Sequence, residues 1–360
     1  MSTLDNTYCY SFPAIRAVQA NKPFFVATCP LSIIPKIFMY DEEEVPAELR
    51  AQRTLNKSRI PEMARYLLDC PNDYVFSAIT ASVGTDVEFD EHESARNLGT
   101  LRVPMDAQIL INDGQHRRAA IEEAIKENSE IGQDNIAVLF FVDEGLQRSQ
   151  QMFADLNKYA VRPSASLSTL YDHRDQASEL ARYLAMTAKP FVGFTEFERS
   201  SISNTSSKLF TLSGIKHANR ALFKKGPKDG FDDDEKLVAL EFWEKLNSFM
   251  PEWQQVQMKE LSASEFRRDY ISAHGIGLQA LATVGQQLLS SHSDNMEEAL
   301  DKLKSIDWRK ANPLWSNRAM QHGRLSKAVS NIFLTALQIK RQVGLTVSQE
   351  ELAKEEGLMS

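Results

Sequence analysis

Five consecutive residues, Asp113-Gly-Gln-His-Arg117, put a carboxylate, an imidazole and a guanidinium within about one turn of chain. They follow an apolar run, Ile109-Leu110-Ile111, and precede Ala120, Ile121, Ala124 and Ile125, which recur at the 3.6-residue helical period. The pattern predicts strand, tight turn, helix. In that arrangement Asp113 is a fitting N-cap and Gly114 admits close backbone approach, so the amides of Gln115, His116 and Arg117 face outward as an anion site. Arg117 falls on the side that carries Ile121 and Ala124, where a guanidinium needs a partner or a ligand; Arg118 is spaced to pair with Glu122. Phosphate binding is the chemistry that suits these residue types at this spacing. A plainer arrangement, a capped helix with His116 and Arg117 satisfied by nearby carbonyls, suits it equally.

Followed by Arg118-Ala-Ala120, the five residues resemble the signature of the DGQHR-domain family, and the chain looks like the DndB family of DNA sulfur modification proteins within it. Its surroundings agree: Arg59-Ile-Pro-Glu-Met-Ala-Arg-Tyr-Leu68 upstream, Phe153-Ala-Asp-Leu-Asn157 and Arg162-Pro-Ser164 downstream, and a tryptophan-containing C-terminal region. The resemblance covers nearly the whole chain. It implies a ParB/sulfiredoxin-like N-terminal fold, a small mixed sheet with a phosphate-facing helix start, in which Gly114, Gln115, His116 and Arg117 bind a nucleotide or phosphate. Gln115 stands where the sulfiredoxin motif has its reactive cysteine, so thiol-based phosphoryl chemistry is not carried over.

Two functions from different classes follow from the resemblance. The first is a DNA-binding transcriptional regulator, a repressor of the DNA phosphorothioate (sulfur) modification operon, whose partners are promoter double-stranded DNA, the modification enzymes and further copies of itself. The second is an ATPase or DNA-nicking enzyme using ATP and Mg2+, with Asp113, His116 and Arg117 as catalytic residues and Asp143 as a further group to orient water or the metal. A third reading makes the chain an assembly partner of the modification enzymes, its basic segments meeting acidic protein surfaces.

Composition sets the outer bounds. The chain has 360 residues and a net charge of −8, which argues against indiscriminate DNA binding but leaves room for a local positive footprint. No apolar run has the length of a membrane span, and the first residues lack the basic-then-apolar pattern of a secretion signal, so a cytoplasmic protein with no membrane partner is expected. Cys9, Cys29 and Cys70 are widely spaced and the seven histidines show no ligand spacing, so no metal site is expected. Cys29, at the end of an expected strand, is either a small buried hydrophobe or a thiol reaching DNA.

The elements that must hold the motif give an α+β chain of two domains, 1–165 with alternating strands and helices and 166–360 mainly α-helical. Residues 1–23 read as irregular. Strands are expected over 24–28, 31–39, 74–82, 101–103, 108–111 and 136–142, the last covered on both faces, with 84–97 as a surface excursion and helices over 48–57, 60–68 and 145–158. Beyond 165 helical periodicity dominates 174–186, 234–250, 276–290, 296–303 and 327–343, and no strand stands out. Gly275-Ile-Gly-Leu-Gln-Ala280 matches a dinucleotide fingerprint in letters only, because no strand precedes it.

Two segments of the second domain are locally basic. Residues 199–228 hold seven Lys or Arg and no acid, behind a hydroxyl-rich stretch, Ser200-Ser-Ile-Ser-Asn-Thr-Ser-Ser207. From Lys302 to Arg341 there are nine Lys or Arg against one acid, Asp307, with Trp308 and Trp315 interleaved among Arg309, Lys310, Arg318 and Arg324. These tryptophans are either stacking platforms for bases or core anchors. Lys208, Arg220, Arg309, Arg318 and Arg324 are the candidate phosphate contacts. Arg199, Lys216, Lys224, Lys225 and Lys327 support them, with Asp232-Asp-Asp-Glu235 placed to neutralise part of the first island.

Overall fold

Alternation of buried and exposed residues starts early in the chain: β1 (Cys9–Gln19) turns Phe12 and Ala14 inward and Ser11, Pro13 and Ile15 outward. The expectation of an irregular segment over 1–23 gives way to this strand. Pro13 sits where β1 is in register only with β5 (Ala95–Pro104), because its pairing with β2 (Lys22–Pro30) begins at Ala14. A residue without an amide donor is tolerated there. Gln19 faces Lys22 across a two-residue turn in which Ala20 and Asn21 both have positive φ, the conformation that matches the twist of a hairpin.

The computed structural model describes residues 8–38, 57–142, 146–158, 162–203, 205–290 and 296–359. They fall into two units, Met1–Val161 and Arg162–Ser360. In the first, β1, β2, β3 (Ile79–Val83), β4 (Glu88–His92), β5, β6 (Ile109–Asp113) and β7 (Asn135–Val142) form a mixed sheet in the order β4-β5-β1-β2-β7-β3-β6. Its described pairs are antiparallel except β3 with β7. Packed into the core of this sheet are α1 (Ile34–Ile37), α2 (Ile60–Asp69) and α3 (Gln115–Glu127), contributing Ile34, Leu67, Ala120, Ile121 and Ala124. Helix α4 (Leu146–Lys158) follows β7 and lies against β6.

Several expectations are corrected. Residues 31–38 form a turn and the one-turn α1 rather than a strand, because Pro35 cannot donate to a ladder but fits a first helical turn. The acidic interval 84–97 carries β4 and the start of β5, and its low hydrophobicity is that of an exposed edge strand. Strand character over 74–82 is confined to β3. β7 is covered fully on one face only, through Ile136, Val138 and Phe140. The predicted helix over 48–57 lies almost wholly outside the described residues.

The second unit is helical: α5 (Ala165–Tyr171), α6 (Gln176–Thr187), α7 (Leu212–Leu222), α8 (Asp233–Ser248), α9 (Pro251–Gln257), α10 (Ala263–Asp269), α11 (Gly275–Ser290), α12 (Met296–Asp301), α13 (Val329–Val343) and α14 (Gln349–Met359). Two two-residue strand pairs, Thr195–Glu196 with Phe210–Thr211 and Met320–Gln321 with Arg324–Leu325, are the described strands here. Helix α11 is apolar on most of its surface and packs against α7 and α13. Gly277 permits the close crossing at its start: a Cβ there would stand 2.6 Å from the Ile271 carbonyl. This packing role, with a short 3-10 turn instead of a strand before it, accounts for the dinucleotide-like letters.

All four tryptophans belong to this core. Trp308 and Trp315 stack on each other at 5.5 Å, and their indole N–H groups donate to the carbonyls of Leu303 and Asp307. They are core anchors, and the base-stacking alternative is overturned by their burial.

Candidate functional site

The Asp113–Arg117 turn is built as the sequence suggests, but its charges close on one another. Asp113 is the last residue of β6 and not the N-cap; Gly114 occupies that position with φ of 114°, and no side chain caps the helix. A Cβ on Gly114 would lie 3.0 Å from Ile79 and 3.1 Å from the Arg117 guanidinium, so both the backbone angle and the space require glycine. Arg117 folds back over this glycine, donating to the Asp113 carboxylate at 2.8 Å and to the Ser77 hydroxyl, while its Nε is buried without a partner. Gln115 is buried and points its amide to the Ile111 carbonyl. His116 is half-buried on the first turn.

Arg118 pairs with Glu122 at 2.7 Å as its spacing predicts. It is not on an open polar face, however: its side chain is 14% exposed against 15% for Arg117, and it donates to the carbonyls of Pro35 and Phe38. Asn112, fully buried, accepts from Ser82 and donates to the Ser149 carbonyl, tying β6 to β3 and α4. The motif is therefore a clasp between sheet and helix. Asp143 lies outside the described residues.

Cys29 is completely buried in β2, and burial pushes its thiol up to about 12. The nucleic-acid alternative for this side chain gives way to the buried-hydrophobe one, since a neutral, inaccessible thiol meets no phosphate.

A different arrangement exists in the second unit. A cleft of about 770 Å³ is lined by residues of both basic islands and of α10: Ser200, Ser201 and Ile202 from the first, Lys310 and Lys327 from the second, and Ser264, Arg267 and Arg268 from between them. The lining carries four Lys or Arg, two histidines, His217 and His274, and no Asp or Glu. Extended pairing of residues 269–271 with 308–310, through Lys310 N–H to the Asp269 carbonyl at 2.7 Å and Ile271 N–H to the Trp308 carbonyl at 2.9 Å, brings Lys310 beside α10.

Each cation has a distinct job. Arg267, nearly buried, donates to the carbonyls of Ser203, Ser206 and Lys208, and so shapes the wall that carries Ser200 to Ile202. Its own carbonyl accepts from the Lys310 ammonium at 2.5 Å and faces Nε2 of His274 at 2.7 Å. Lys310 is held below the ordinary lysine range, first by burial and then by Arg267, against the pull of Asp269. Burial, with Lys310, Arg267 and Lys327 nearby, pushes His274 down to about 4, and burial with Lys216 and Arg220 lowers His217. Both imidazoles are neutral at pH 7. Arg268 is exposed and grips Asp269 at 2.8 and 2.9 Å. The first turns of α7, through Ser213 and Gly214, and of α11, through Gly275, open onto the same space.

The candidate contacts read from the islands divide on this geometry. Lys216 and Arg220 share Asp175, at 2.5 and 3.4 Å; against burial, which raises it, the Lys216 ammonium and the Ser178 hydroxyl hold its carboxyl below the usual range. Lys225 pairs with Glu235 at 2.5 Å, the neutralisation expected from the acidic run, and Arg318 pairs with Glu355 at 3.2 Å. Lys208 turns to the Gly193 carbonyl. Arg199, Lys224, Arg309 and Arg324 are exposed, and Lys327 lines the cleft.

Sequence reading missed Arg267, Arg268, His217 and His274. Arg267-Arg268 lies between Glu265 and Asp269, so local charge cancels in any window, and only their adjacency hinted at a role.

A family model described as DndB, DNA-sulfur modification-associated, matches residues 12–346. No curated protein and no solved structure matches the chain.

Proposed function

Because the chain belongs to the DndB family of DNA-sulfur-modification-associated proteins, we propose that it is a DNA-binding regulator that represses the operon for that modification, holding backbone phosphates at the cationic cleft of its second unit. The observation that carries this reading is the convergence of Arg268, Lys310 and Lys327 on one space without a lining carboxylate. Arg309, exposed in the extended segment bridged to Tyr270, adds a fourth cation. Arg267 organises the wall behind them.

Neutralising four phosphates gives a slope of about −3.6 in log affinity against log salt, or a loss of about 150-fold between about 50 and 200 mM. Titration of the operon promoter by fluorescence anisotropy over that range tests the reading. Lys310→Met is expected to reduce the slope by about one and to weaken binding to all sequences alike. Salt-independent binding by the wild type would sink the proposal.

For the first unit we carry forward the ParB/sulfiredoxin-like arrangement, supported by the mixed sheet and the strand, glycine turn and helix at Asp113–Arg117. Nucleotide chemistry there requires the Arg117–Asp113 pair to open before the guanidinium can hold a phosphate.

A further inference from the structure

The cleft is shaped for something smaller than a duplex. We propose that it binds a nucleoside phosphate, with the phosphoryl group between Arg268, Lys310 and Lys327 at the first turn of α11 and the base against Ile202 and Leu209. The binding itself stands apart from the regulator reading; its consequence, competition with DNA backbone for the same cations, rests on it.

Size is the first argument. About 770 Å³ lies within the range of pockets that enclose a small ligand. A duplex presents its phosphates on a convex surface, so it can engage these cations without filling the cleft, and the remaining space is left for the rest of a free nucleotide or of the phosphorylated end of a strand.

Charge is the second. The lining of the cleft holds four Lys or Arg and no carboxylate, and Asp269, outside the lining, offsets part of the Arg268 charge. Burial, with neighbouring cations adding to it, depresses Lys310 and His274, and the cationic part of that depression is what an entering dianion relieves. The 16-residue α11 opens onto the cleft at Gly275, where amide dipoles favour a negative group.

Chemical variety is the third. A site for inorganic anions alone has no use for an apolar wall, yet Ile202 and Leu209 supply one beside the hydroxyls of Ser200, Ser201 and Ser264, which suit a sugar. Neutral His217 and His274 add acceptors or donors without adding charge.

Calorimetric titration of the full chain at constant ionic strength with AMP, ATP, adenosine, inorganic phosphate and a short 5′-phosphorylated oligonucleotide tests this. Saturable binding of AMP or ATP is expected, with adenosine and phosphate each at least tenfold weaker. Lys310→Met and Arg268→Gln are expected to weaken nucleotide at least tenfold, Lys310→Arg to restore it, and Lys236→Met, which removes the same charge elsewhere in the unit, to leave it unchanged. Tighter binding of the 5′-phosphorylated oligonucleotide than of AMP would assign the site to strand ends, and the reverse to free nucleotide; either supports the proposal. It is overturned if no probe saturates, if inorganic phosphate matches AMP, or if Arg117→Gln abolishes binding that Lys310→Met retains. Nucleotide binding without promoter binding removes only the regulator reading, and salt-dependent promoter binding without nucleotide binding removes only this one.

Discussion

The Asp113–Arg117 turn and the cleft of the second unit are made of the same parts, a helix start, arginine and histidine, and they use them oppositely. In the turn the guanidinium of Arg117 finds a carboxylate four residues back and a hydroxyl on the chain before β3. In the cleft, cations from three separated segments meet with neutral imidazoles and no lining acid. A guanidinium locked onto a carboxylate four residues away holds the fold together; cations gathered with a surplus of positive charge favour an entering anion, and their mutual repulsion weakens the fold that holds them. On the proposed reading, motif specificity and binding capacity are different properties that reside in different units.

The largest expected effect tests the burial of an imidazole among the cations of the cleft. His274 ionises near 4 in the folded chain and near its ordinary 6.5 when unfolded. Between those values the unfolded chain takes up a proton that the folded one refuses, so stability falls as pH drops from about 6.5 to about 4 and is flat below. The loss is on the order of 3 kcal/mol at most. Urea denaturation followed by tryptophan fluorescence reports it cleanly, since every tryptophan is in the second unit. His274→Gln should flatten the profile, and an unchanged slope in that variant would break the comparison.

Next in size, the closed turn should behave as structure. Gly114→Ala, strained by its positive φ, and Arg117→Ala, which leaves Asp113 unpaired, should each cost about 1–3 kcal/mol. Hydrogen exchange of the first unit should register both, with the tryptophan transition unmoved. Promoter affinity falling in Arg117→Ala while exchange stays native would reassign the turn to binding.

The smallest expected effect sharpens the contrast. Arg268→Ala, removing an exposed side chain, should leave stability essentially unchanged while lowering the salt slope of DNA binding by about one. A large drop in melting temperature would make Arg268 a structural residue like Arg117.

Much of the architecture was readable because it is local. The 3.6-residue spacing of Ala120, Ile121 and Ala124, and of the apolar residues in α6, α8, α11 and α13, is fixed by which side of a helix meets the core. β1 was missed because its turn, Ala20-Asn21, lacks glycine and its length carries Pro13, which is acceptable only given the one-sided pairing with β5. α7 was missed within a segment read for its charge, although Leu212, Ile215, Ala218 and Leu222 mark its buried side.

Of the charges, the sequence alone determined the Arg118–Glu122 pair, the Lys225–Glu235 neutralisation, the α+β division and the family signature, all set by neighbours a few residues apart or by pattern. Which cations meet a distant carboxylate and which gather on the cleft was decided only by the tertiary structure. Lys216 and Arg220 meet Asp175, and Arg318 meets Glu355, across long stretches of chain, while Arg267, Arg268, Lys310 and Lys327 gather on one cleft whose lining holds no acid, with Asp269 paired to Arg268 beside it. Coulomb energy depends on distance in space and on the medium between the charges, and neither is written in the order of residues.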